Sequence, residues 1–165
     1  MSQPVSQQLS QTTIETTSAP EAAATPRVPP VVRDAGLLAA RALLGVIMIA
    51  HGWQKVATNG LEATGGAFAQ MGVPLPEISA AVAAGIELGG GLLLVLGLFT
   101  PIAGLAVAAV LAGAFWFVHL GNGLFATDGG WELVAALGLA SVVFALVGPG
   151  RFSLDGLRER RRAQR

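Results

Sequence analysis

Residues 78–100 read ISAAVAAGIELGGGLLLVLGLFT and residues 101–120 continue as PIAGLAVAAVLAGAFWFVHL. Across both stretches Glu87 is the only Asp, Glu, Lys or Arg. A helix that is apolar on every side needs an apolar surrounding, and each stretch is close to the ~20 residues that cross a bilayer core. Hydrocarbon cannot pair a backbone N–H or C=O, so the chain must satisfy its own, and helices do so locally. Strands are not expected, because the runs are too long and do not alternate. Pro101 follows Thr100 at the point where one helix can stop and the next can open with its first-turn N–H dispensable. The two stretches therefore form an antiparallel helical hairpin.

Two further apolar segments flank this hairpin, at about Ala35–Val56 and about Gly130–Val147. With Ile78–Phe99 and Pro101–Leu120 they make four spans, which predicts an all-α, integral membrane four-helix bundle. The whole chain of 165 residues agrees: it is 53% hydrophobic and 12% charged, where a soluble domain carries about a quarter charged residues. Residues 1–34 differ in kind, being rich in Ser, Gln, Thr, Ala and Pro without apolar periodicity. They read as a disordered tail and not as a signal peptide, since no basic lead-in precedes an early apolar core. The expected organisation is a tail over 1–34, a membrane domain over 35–150 and a basic tail over 151–165.

The zero net charge hides a segregation. Arg27 and Arg33 precede the first span, and Arg151, Arg158, Arg160, Arg161, Arg162 and Arg165 follow the fourth. The connections 57–77 and 121–129 contain no Lys or Arg. Basic residues stay on the cytoplasmic side of short loops, which places both termini in the cytoplasm. Trp53 and Trp131 then fall at the outer interface as aromatic anchors. The basic run is ordinary beside a membrane, so it gives no reason to expect nucleic acid.

Chemistry is sought among the ionisable groups in or at the edge of the spans: Arg41, His51, Lys55, Glu87, His119 and Glu132. Such groups are expensive in lipid and turn inward to find partners. The topology puts Arg41 in the inner half, as a structural charge pairing with headgroups or Asp34. It puts His51, Lys55, Glu87, His119 and Glu132 in the outer half as one polar cluster. Arg41, Met48 and Lys55 share a helix side at heptad spacing, and His51 lies one turn from Lys55. Glu87 is too deep to reach the interface easily, so it is protonated or paired with His51 or Lys55. Glu132 alternatively complements a helix N-terminus. Small-xxx-small pairs at Gly85/Gly89, Gly104/Ala108 and Ala109/Gly113 would let helices approach closely. No cysteine is present, which excludes disulfides, thiolate metal sites and iron–sulfur clusters on this chain. No metal site is expected from the spacing of the His and Glu residues.

Around these residues the chain resembles the DoxX family of small bacterial membrane proteins. The resemblance rests on RALLG (41–45), HGWQK (51–55), FAQMGVP (68–74), ELGGGLLL (87–94), LGLFTP (96–101), VHLGNG (118–123) and GPGRFSLD (148–155). Phe152 stands where many relatives have Tyr, and the long N-terminal tail is not a family feature. Membership implies a four-helix bundle and a link to membrane redox chemistry. Some relatives are subunits of a thiosulfate:quinone oxidoreductase, and others partner enzymes that handle oxidative stress. The absence of cysteine excludes a persulfide intermediate here. The expectation is an accessory or quinone-interacting subunit, with quinone the candidate cofactor in place of haem or zinc. A redox enzyme and further copies of the chain are the candidate partners within the lipid bilayer. The alternatives are a proton or small-solute transporter and a scaffold without catalysis.

Overall fold

A computed structural model of the protein describes residues 28–165; the greater part of the tail expected over 1–34 lies outside the described residues. The helices are α1 (Pro30–Trp53), α2 (Leu61–Gln70), α3 (Pro76–Leu96), α4 (Thr100–Ala114), α5 (Glu132–Val147) and α6 (Leu154–Ala163). No strand occurs among the described residues. α1, α3, α4 and α5 form the four-helix bundle, in which α1 packs on α3, α4 on α5, and α3 on α4. With their continuations, α1, α3 and α4 are long and apolar enough to cross a membrane. At 16 residues α5 is apolar but shorter, roughly 24 Å at 1.5 Å per residue.

Several boundaries differ from the sequence expectation. α1 begins at Pro30 instead of Ala35, because a proline at the first helical position needs no partner for its missing N–H. The connection 57–77 contains the amphipathic helix α2, and α6 is an ordered helix where only a basic tail was expected. Ser153 caps α6, its hydroxyl accepting from the Gly156 N–H at 3.0 Å.

Lipid offers no hydrophobic drive between helices, so contact depends on how closely backbones approach. On α1 and α3 the seam is Gly45 and Gly52 against Ala84, Leu88 and Gly91. A Cβ on Gly91 would lie 2.7 Å from the Gly45 carbonyl oxygen, and one on Gly45 2.6 Å from that of Gly91. On α4, Gly104 meets Ser141 and Ala145 of α5. The expected pairs Gly85/Gly89 and Ala109/Gly113 are not packing motifs: a Cβ on Gly85, Gly89 or Gly113 would touch nothing, and Ala109 is exposed. Gly85, Gly89 and Ala109 lie on exposed helix faces, and Gly113 borders an open recess between the helices. Leu44, Met48, Leu94, Val107, Leu111, Val134 and Phe144 fill the core between the four helices.

The α3–α4 connection is only Gly97–Phe99, with Gly97 at φ 64° and Phe99 at φ 49°. Gly97 must lack a side chain for a second reason, since a Cβ would collide with the Arg41 guanidinium. Arg41 is fully buried. Its Nη1 donates to the carbonyls of Leu94 and Val95, and its Nη2 to that of Phe152 at 3.0 Å. It thus closes the carboxyl end of α3, where the last carbonyls of a helix lack partners. This corrects the expected pairing of Arg41 with headgroups or Asp34. Asp34 sits instead beside Arg33 and Arg151, 3.5 and 3.9 Å away.

Candidate functional site

Below, the end of the bundle holding α2 is called the loop end and that holding α6 the tail end. At the loop end the four helices part around a cavity of about 550 Å³. Its walls come from α1 (Met48), α3 (Val82, Ala83), α4 (Val110, Leu111), the turn that continues α4 (Phe117) and α5 (Leu133, Val134, Leu137). Phe68, Met71, Val73 and Pro74, from α2 and the turn after it, cover the loop side. The lining is overwhelmingly apolar. Its chemistry is confined to Lys55, Glu87, His51, His119 and Ser79.

Glu87, in the middle of α3, is 4% exposed and is met by Lys55 from the turn that continues α1. The Lys55 ammonium donates to Oε1 at 2.9 Å and lies 2.7 Å from Oε2, an ion pair in which Oε2 has no hydrogen-bond partner among the described residues. Of the two partners considered for Glu87, Lys55 is the one in contact. The helix that carries Lys55 widens there: Gln54–Thr58 is a π-helical turn continuing α1. The Thr64 hydroxyl of α2 shares its one proton between the Gly60 carbonyl at 2.9 Å and the Lys55 carbonyl at 3.2 Å, which ties α2 to this turn. A second π turn, Phe115–His119, continues α4 and brings His119 to the cavity lining. Asn122 Nδ2 donates to the Val118 carbonyl at 3.0 Å within it. Single π turns recur where a helix must aim a functional side chain. Neither was visible in the sequence, since a π turn has no hydropathy pattern that sets it apart from the helix it extends.

His119 Nδ1 lies 2.7 Å from the Gly129 carbonyl oxygen. A carbonyl can only accept, so Nδ1 carries a proton, and in the neutral ring Nε2 is an acceptor. His51 borders the cavity from an exposed position one turn before Lys55. Glu132 lies apart from these four. Its Oε1 accepts from the Ala126 N–H at 2.8 Å, which places it at the first turn of α5, closing the loop before it. Trp131, expected as an interfacial anchor, packs edge-on against Phe115 with ring centroids 5.8 Å apart. Trp53 is 62% exposed.

An ion pair in an apolar cavity offers a polar ligand both a donor and an acceptor. Lys55 donates, Glu87 accepts, and the remaining nitrogen of His119 accepts when the ring is neutral. Among the described residues no three His, Asp or Glu side chains are grouped to hold a metal ion.

Comparisons with known proteins agree with this architecture. The DoxX family matches residues 36–120. A Bacillus subtilis protein named "Putative oxidoreductase CatD" is 37% identical over 122 residues, covering 74% of this chain and 86% of its own. An uncharacterized protein of Haemophilus influenzae is 34% identical over 118 residues, covering 70% and 84%. The Escherichia coli protein named "Inner membrane protein YphA" is 32% identical over 128 residues, covering 72% and 87%. No solved structure shows significant similarity. A bundle of apolar helices of this order, matched over more than half its length, makes the chain a membrane protein of the DoxX family.

Proposed function

We propose that the protein is an accessory, quinone-interacting subunit of a membrane redox system in the bacterial inner membrane, with both termini in the cytoplasm. The observation that carries this reading is the Lys55–Glu87 pair in a 550 Å³ apolar cavity whose lining also includes His119. Pockets of about 300–1,000 Å³ suit small organic ligands, and a few placed polar groups in an apolar wall fix their orientation. A quinone needs donors at its carbonyl oxygens, which the Lys55 ammonium supplies. The quinol form needs acceptors for its two hydroxyls, which the Glu87 carboxylate and His119 Nε2 supply. Reduction of the quinone takes two electrons and two protons. The electrons come from a partner oxidoreductase, and this chain's part is to bind the ring and pass protons. The Bacillus relative is itself named an oxidoreductase, which supports a redox setting.

The transporter alternative has less in its favour. On the tail side of the cavity Leu44, Leu94, Val107 and Phe144 form a packed apolar core.

Tryptophan fluorescence of the purified chain, titrated with a short-chain ubiquinone, tests the reading. Saturable quenching is expected in the wild type and much weaker quenching in Lys55→Met. Unsaturable quenching, identical in both proteins, would remove quinone from the proposal.

A further inference from the structure

The tail end carries a second recess, of about 760 Å³, between the starts of α1 and α4, the end of α5, and α6. α6 is held beneath it by backbone: the Asp155 N–H donates to the Gly97 carbonyl at 3.0 Å, and the Asp155 carboxylate accepts from the Thr100 N–H at 3.3 Å. Five arginines line the recess against three acids, Asp34, Asp155 and Glu159. Asp155 is engaged as described, and Arg160 donates to the carbonyls of Gly156 and Arg151. Arg33, Arg151, Arg158 and Arg162 remain, with Arg158 stacked over the Phe99 ring at 5.6 Å.

Asp34 is the unusual member. It is 1% exposed, yet neither carboxylate oxygen has a hydrogen-bond partner among the described residues. Arg33 and Arg151 approach at 3.5 and 3.9 Å, and both side chains remain more than 60% exposed. A buried carboxylate without donors is costly, so a donor supplied from outside would be strongly favoured. The recess therefore presents an arginine rim for an anion and an acceptor for a hydroxyl. Beside it lie the apolar Ile102 and Val147, 69% and 62% exposed.

We propose that this recess is a headgroup site for an anionic phospholipid, its phosphodiester held by the arginines and a headgroup hydroxyl donating to Asp34. Phosphatidylglycerol has this chemistry. The exposed Ile102 and Val147 favour a lipid over free phosphate, because acyl chains leaving the headgroup would lie along them. The inference is independent of the quinone reading, since the two recesses lie at opposite ends of the bundle.

Native mass spectrometry of the delipidated full chain in detergent tests it, with phosphatidylglycerol, phosphatidylmethanol (same charge, no headgroup hydroxyl), phosphatidylcholine and inorganic phosphate as probes. Phosphatidylglycerol should bind best, about tenfold better than phosphatidylmethanol, as one hydrogen bond to a charged acceptor provides. Asp34→Ala should erase that difference. Arg158→Gln and Arg162→Gln lie on exposed α6 and spare the bundle fold; each should weaken phosphatidylglycerol about fivefold, as expected for a basic residue at an anionic membrane surface. Equal binding of phosphatidylcholine and phosphatidylglycerol would overturn the proposal, as would unchanged binding in the Arg158→Gln/Arg162→Gln double variant. Inorganic phosphate displacing phosphatidylglycerol at equal concentration would overturn it as well, because the site would then recognise the free ion.

Discussion

Replacing Lys55 by Met isolates the energetics of the candidate site. The two charges meet at 2.7 Å, with Glu87's side chain 6% and Lys55's 18% exposed. At an effective dielectric of about 20, opposite unit charges at this separation attract by roughly 6 kcal/mol. Most of that is offset by the water both groups give up, so the pair itself is expected to be nearly neutral towards an apolar replacement. Removing one partner is different, because it strands a buried charge. Lys55→Met should destabilise the fold by about 3–5 kcal/mol, while Glu87→Leu, which leaves the longer and more exposed lysine able to bend towards the interface, should cost less. The double variant Lys55→Met/Glu87→Leu should recover most of the loss. Equilibrium unfolding of the four proteins in detergent micelles, read by circular dichroism, closes the cycle. If Lys55→Met is as stable as the wild type, or if the two single losses simply add, the ion pair does not couple α1 to α3 and the reasoning fails.

Three further outcomes follow from the packing. Gly91→Ala should destabilise strongly, by about 2 kcal/mol or more, because its Cβ meets α1 backbone that cannot yield, whereas Gly89→Ala, facing open space, should be neutral or stabilising by up to about 1 kcal/mol; thermal unfolding separates them. Arg41→Met should remove the closure of α3's carboxyl end and lose about 3 kcal/mol or more, and Arg41→Lys should restore only part of it, since an ammonium cannot reproduce the planar fork. Because the chain contains no cysteine, single substitutions Asn59→Cys and Gln164→Cys can be labelled in intact cells. An impermeant maleimide should reach residue 59 and not residue 164, and the reverse pattern would invert the proposed topology.

The sequence by itself determined the solvent and the helices. The apolar runs on either side of Pro101 leave no alternative to membrane helices, because hydropathy and backbone pairing are local properties and lipid imposes them residue by residue. It also marked Glu87, since a lone carboxylate at the middle of an apolar span needs a partner whatever the packing. Tertiary structure decided what such local signals do not encode. Gly85 and Gly89 look like a packing motif and face outward, while Gly45 and Gly91 make the contact, because helix rotation depends on the neighbour's surface as well as on the helix itself. The π turns that deliver Lys55 and His119 rest on hydrogen bonds from Thr64 and Asn122. Arg41 reaches Phe152 across 111 residues of sequence. Glu132 shares the loop end with the cavity residues but serves the α5 loop, its carboxylate accepting from the Ala126 N–H. Which charge meets which depends on distances between helices, and only the assembled bundle sets them.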